Sequence, residues 1–209
     1  MKKIIPYKTA AGACAALDNG GRFYNLLTQA NDGTISAVEL AKTAGLFNDK
    51  QKMVLYLRMS IAELGRQEIT EIENSLSDDL KSAYHRYCPQ HLLSAEAETK
   101  GIPAANAILT GVPKFIEGRT DFNGFIMIPI MTGKTMIMTM VPIIDHYDVY
   151  EIRDRDGSEK FILAHARSSV KLPEQMIRCG GVIKELQSDK KGLGKTGKFL
   201  ESCYYTPVS

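Results

Sequence analysis

Apolar residues recur at three- and four-residue intervals through about residue 98, and at every second position after residue 110. The first spacing lines one face of a helix and the second lines one face of a strand. Leu17, Phe23, Leu26 and Leu27 predict a helix over about 12–29, with a break at Asn19-Gly20-Gly21. Ser36 is placed to cap a second helix, with Glu39 at the capping-box position and Gly45 as its end. A third fits 49–64, where Met53, Val54, Leu57 and Ile61 form one stripe. A fourth fits 68–87, through Ile69, Ile72, Leu76, Leu80, Ala83 and Tyr87, and a short one follows Pro89 at 94–98. Lys100 to Pro113 carries Gly101, Pro103, Gly111 and Pro113, and reads as a connector.

Beyond the connector the alternation predicts strands at 122–131, 135–144, 146–155, 158–167 and 177–186. Consecutive strands with short turns imply an antiparallel meander of about five strands, so the predicted fold class is α+β. The expected division is a helical domain over 1–100, an antiparallel β domain over 111–189, and a flexible Gly- and Lys-rich tail over 190–209.

Two turns set the expected register. Asp156-Gly157 fits a type I′ hairpin turn, which puts Ile152 opposite Phe161, Tyr150 opposite Leu163, Asp148 opposite His165 and His146 opposite Arg167. All of these share one face, an apolar patch ending in two histidines, an aspartate and an arginine. His146, Asp148, Tyr150, His165 and Arg167 are therefore the candidate ligand-binding residues. Gly133-Lys134 similarly predicts a hairpin with Met127, Met131, Met136, Met138 and Met140 on one face and Ile126, Ile128, Ile130, Ile137 and Val141 on the other. With both faces apolar, this hairpin is expected to be covered on two sides or to pair with a second copy of the chain.

Composition narrows the partners. The 209 residues are 44% apolar and 24% charged, with a net charge of +2, so there is no global electrostatic case for nucleic acid or an anionic membrane. Phe125 to Ile144, the longest apolar candidate for a membrane span, is broken by two prolines, Gly133 and Lys134. Cys14, Cys88, Cys179 and Cys203 are scattered in a chain long enough to build its own core, which predicts reduced thiols and a cytoplasmic protein. A small apolar or anionic ligand, or a protein partner, fits this surface best, and no residue pattern names a cofactor.

Three local patterns carry resemblances. His146-Tyr147-Asp148 with His165 resembles the His-x-Asp…His pattern of 2-oxoglutarate-dependent dioxygenases, which implies Fe(II) on His146, Asp148 and His165. The likeness covers three residues, and too few strands follow residue 122 for that family's double-stranded barrel. Residues 28–39 resemble an EF-hand calcium loop through Gly33, Ile35 and Glu39, although Ala30 takes a ligand position. Ile35 to Leu57 resembles a helix-turn-helix, which implies DNA contacts from Lys50, Lys52 and Arg58. The leading expectation is a non-catalytic ligand- or partner-binding protein, with a metal-dependent enzyme and a DNA-binding regulator as rivals.

Overall fold

The computed structural model describes residues 1–19, 30–46, 49–116, 124–132, 135–142, 147–154, 160–166, 171–188 and 197–208. The chain is an α+β protein that divides into two compact units, Lys3–Pro89 and Met1–Lys2 with Gln90–Ser209.

The first unit holds five of the described helices: α1 (Ala10–Leu17), α2 (Ala37–Ala44), α3 (Lys50–Ser60), α4 (Arg66–Asn74) and α5 (Asp78–Arg86). The capping box at Ser36 is present as expected, with the Ser36 hydroxyl accepting from Glu39 N–H and the Glu39 carboxylate accepting from Ser36 N–H, and Gly45 ends α2 in a left-handed conformation. The single helix expected over 68–87 is two. Between them Ile35 donates its N–H to the Ser75 carbonyl at 2.7 Å and accepts from Ser77 N–H at 2.9 Å, forming a bridge to Leu76. Ile72, Leu76 and Leu80 are all buried, so the apolar spacing runs unbroken across a gap made by a tertiary contact. Helix α3 is the most enclosed, with Met53 to Leu57, Met59 and Ser60 buried.

The second unit contains the short helix α6 (Ser94–Lys100) and a mixed nine-stranded sheet. Its strands are β1 (Lys2–Lys3), β2 (Gln90–Leu92), β3 (Asn106–Phe115), β4 (Gly124–Thr132), β5 (Thr135–Pro142), β6 (Tyr147–Arg153), β7 (Lys160–Ala166), β8 (Ile177–Ser188) and β9 (Gly197–Pro207). The expected meander survives only at β6–β7 and β4–β5. Strand β3 pairs with β8 over Asn106–Gly111 and then with β6 over Val112–Phe115, while β9 lies parallel to β7 and antiparallel to β8. These pairings close a ring, β3-β6-β7-β9-β8 and back to β3. Side chains from all five strands fill it: Ala107 and Leu109, Tyr150 and Ile152, Phe161 and Leu163, Ile177 and Cys179, and Leu200. A five-stranded barrel of this size has a packed interior rather than a channel. Strands β4 and β5 extend from it as a hairpin, joined to β8 at Gly124↔Ser188 and Phe125↔Gln187.

Two expectations fail here for physical reasons. Residues 106–113, assigned to the connector, belong to a barrel strand, β3. Ile116 N–H bonds Val149 C=O, so the amides of positions 114 and 112 also turn toward β6 and that of position 113 turns away, while the β8 ladder has already ended at Gly111. Pro113 thus sits where no ladder donor is needed. Gly111 is a requirement of close approach rather than a breaker, because a Cβ there would lie 2.4 Å from the Arg153 carbonyl oxygen. The expected flexible tail over 190–209 likewise contains β9, whose Phe199, Leu200, Tyr204 and Thr206 are buried. The Gly- and Lys-rich composition describes only its lead-in.

Candidate functional site

The register expected from the Asp156-Gly157 turn is the observed one: Asp148↔His165, Tyr150↔Leu163 and Ile152↔Phe161 are direct cross-strand partners, although the turn itself lies outside the described residues. Closure of the barrel gives that face its meaning. Tyr150, Ile152, Phe161 and Leu163 point into the interior and form core, so the apolar half of the expected ligand surface is already filled by the protein. The polar half lies at one end of the barrel. Asp148 is 3% exposed and His165 is 1% exposed.

Three further residues, none of them on β6 or β7, complete this end. Lys171 places its Nζ 2.7 Å from Asp148 Oδ1 and 4.0 Å from the centroid of the Phe115 ring, while remaining about half exposed. Phe115 meets Tyr150 edge-on at 5.2 Å, and Tyr150 stacks on His165 at 5.6 Å with 20° between the ring planes. Leu172 N–H donates to the Tyr150 hydroxyl at 3.2 Å, tying the Lys171 segment to the barrel. Burial raises the Tyr150 phenol above its usual range, so it stays protonated.

The state of His165 follows from its neighbours. Its Nδ1 lies 2.8 Å from the Ala166 carbonyl, which can only accept, so Nδ1 carries the hydrogen. Burial holds the imidazole below the ordinary histidine range, reinforced by the N-terminal ammonium and Lys171 and opposed by the Ala166 carbonyl and Asp148. At neutral pH the ring is then uncharged and Nε2 is a bare lone pair. That nitrogen is buried with no hydrogen-bond partner. A lone pair in this setting accepts a hydrogen bond or ligates a metal.

Asp148, Tyr150 and His165 are thus brought together as expected, and His146 and Arg167 lie outside the described residues. Lys171 and Phe115 were not expected. The available signal for Lys171 was indirect: a carboxylate on an interior-facing position needs a cation or several donors. Among the described residues no group of three or more His, Cys, Asp or Glu side chains could hold a metal.

The other local patterns resolve into structure. In the EF-hand-like segment the buried Asp18 carboxylate, from outside the loop, accepts from Asn31 N–H and Gly33 N–H, both at 2.8 Å. Those residues hold φ of 59° and 84°, so Asp18 shapes a left-handed turn in the place where a cation would act. In the helix-turn-helix-like segment α2 and α3 form a helical hairpin. Lys50 faces Asp79 and Lys52 faces Asp49, while Arg58 lies over the Tyr84 ring. His85 pairs with Glu73 at 3.0 Å. The methionine hairpin has the expected register, with Met127↔Met140 and Met131↔Met136 as partners. No helix among the described residues is long and apolar enough to cross a membrane. No protein-family model matches this chain, and a search of curated proteins finds no match.

Proposed function

We propose that this chain is a cytosolic binding protein whose ligand is held at the Asp148–His165 end of the barrel, where His165 Nε2 accepts a hydrogen bond and Lys171 offers its remaining ammonium hydrogens. The observation that supports this is the buried, unpartnered Nε2 of His165 beside an ion pair between the buried Asp148 and the half-exposed Lys171. Leaving such an acceptor without a partner costs about 1–3 kcal/mol, which a ligand with a donor group returns. The matching ligand is small, with an N–H or O–H for His165 and an anionic group for Lys171. With the barrel interior filled, an apolar ligand has less to occupy.

Side-chain nitrogen spectra of the four histidines test the reading. A panel of small hydroxy and amino acids is titrated into the protein at neutral pH. The expected result is a saturable shift of the His165 Nε2 resonance that is lost in His165→Phe. Indifference of that resonance to the whole panel sinks the proposal, and a shift produced by Fe(II), Mn(II) or Zn(II) alone favours the metal-dependent reading instead.

A second reading rests on the barrel plan. Closed five-stranded barrels of Greek-key type resemble OB-folds, whose second and third strands bind oligonucleotides and oligosaccharides. Here those strands are β6 and β7, whose opposite face carries Tyr147, Glu151, Arg153 and Lys160. Arg153 and Lys160 both lie 2.8 Å from Glu151, so the single carboxylate offsets one of the two positive charges and these groups keep a net charge of +1. Fluorescence anisotropy with a single-stranded oligonucleotide at low and moderate salt checks this, and no binding at low salt removes it. The enclosed α3 makes the helix-turn-helix route to DNA the weaker alternative.

A further inference from the structure

The helical unit holds a second set of unmatched polar groups. Arg58 of α3 places its guanidinium carbon 3.6 Å from the centroid of the Tyr84 ring on α5. The stack accounts for the flat face of the guanidinium and leaves its in-plane N–H groups unspent. Arg58 Nε is buried with no partner, and so is the hydroxyl of Tyr84, a residue only 1% exposed. The neighbouring carboxylate, Glu73, is held by His85 at 3.0 Å, and Arg58 has no ion pair among the described residues. Burial pushes the Tyr84 phenol up to about 12, so its proton is retained and available to donate.

We propose that Arg58 and Tyr84 form a binding site for a small oxyanion, a carboxylate or phosphate oxygen that accepts from both the Arg58 Nε–H and the Tyr84 hydroxyl. Arg58 Nε–H can only donate and the Tyr84 hydroxyl can donate too, so one acceptor satisfies both, and the fixed positive charge of Arg58 selects an anionic one. Both groups belong to the helical unit, and neither is among the residues around His165.

The full-length chain is titrated with sodium phosphate, and separately with sodium acetate, at constant ionic strength set by chloride, while the Arg58 Nε–H resonance is followed. Saturable movement of that resonance is expected with at least one anion. Tyr84→Phe keeps the ring and the stack but removes the hydroxyl, and is expected to weaken binding about tenfold. Arg58→Lys, which loses the planar fork, is expected to weaken it at least as much. Response to phosphate alone or to acetate alone supports the site and identifies its anion. No saturable response to either anion overturns the proposal, as does unchanged affinity in Tyr84→Phe or a resonance coupled only to water.

Discussion

Replacing Gly111 by alanine asks whether the β3–β6 seam is as tight as the barrel requires. The new methyl carbon would stand 2.4 Å from the Arg153 carbonyl oxygen and 2.8 Å from Ile152 Cγ1, where ordinary contact begins at 3.4 Å. Relief therefore needs the two strands to part by roughly 1 Å, in a close-packed interior with little room to give. The obstacle is backbone, so no rotamer change removes it. Overpacking of this kind costs about 3 kcal/mol, roughly a hundredfold in the folding equilibrium. Because the chain has two compact units, a single unfolding midpoint would mix two transitions. Amide hydrogen exchange separates them: the amides of β3 and β6 are expected to exchange roughly a hundredfold faster at fixed pH, while those of α3 serve as an internal reference. Gly197→Ala is the control, since a Cβ there meets nothing within 4 Å, and its effect is expected to stay within about 0.5 kcal/mol. Should Gly111→Ala exchange like the control, the seam is looser than described and the barrel closure is wrong.

Other outcomes follow from the same geometry. His165 has a lowered pKa in the folded state, so the unfolded chain binds the extra proton first. Its contribution is full above about pH 6.5 and is lost as pH falls toward the folded value, with a slope of at most about 1.4 kcal/mol per pH unit. Chemical denaturation between pH 5 and pH 7 measures this, and a wild type no steeper than His165→Phe contradicts it. Lys171→Met removes the cation facing the buried Asp148. Removing one partner of a buried pair costs about 3–5 kcal/mol, but Lys171 is half exposed, so the expected loss is nearer 1–2 kcal/mol by denaturant titration. Asp18→Ala frees two backbone donors of the 31–33 turn and is expected to cost about 1–3 kcal/mol while leaving barrel amides unchanged in exchange. Cys88 is exposed and Cys179 fully buried, so a thiol reagent should label Cys88 at once and Cys179 only as the barrel opens. Equal rates at the two sites would argue against a closed barrel.

What could be read from the sequence was whatever depends on near neighbours. The capping box at Ser36 and the pairing of Asp148 with His165 are each set within about twenty residues, by helix-end chemistry and by side-chain alternation across one turn. The break at Ser75 to Ser77 depends on Ile35, forty residues away, and leaves no mark on the apolar spacing. Strand β3 was hidden because Gly111 and Pro113 are ordinarily breakers, and their acceptability depends on where β8 stops pairing. At the site, Lys171 reaches Asp148 from a segment outside the β6–β7 ladder. A lysine in a loop carries no local sign that it will cover a buried carboxylate.

Closure has a consequence for the order in which the chain is made. Two of the five seams of the ring, β7–β9 and β9–β8, belong to its final strand. Until Gly197 to Pro207 has emerged from the ribosome, β7 and β8 each keep an unpaired edge and the row from Ala107 to Ile183 faces water. The nascent chain carries that open sheet from the completion of β8 until β9 is added, the state in which unpaired edges recruit other chains. Translation rate and chaperone supply over this last stretch should therefore govern soluble yield more strongly than any codon in the helical half.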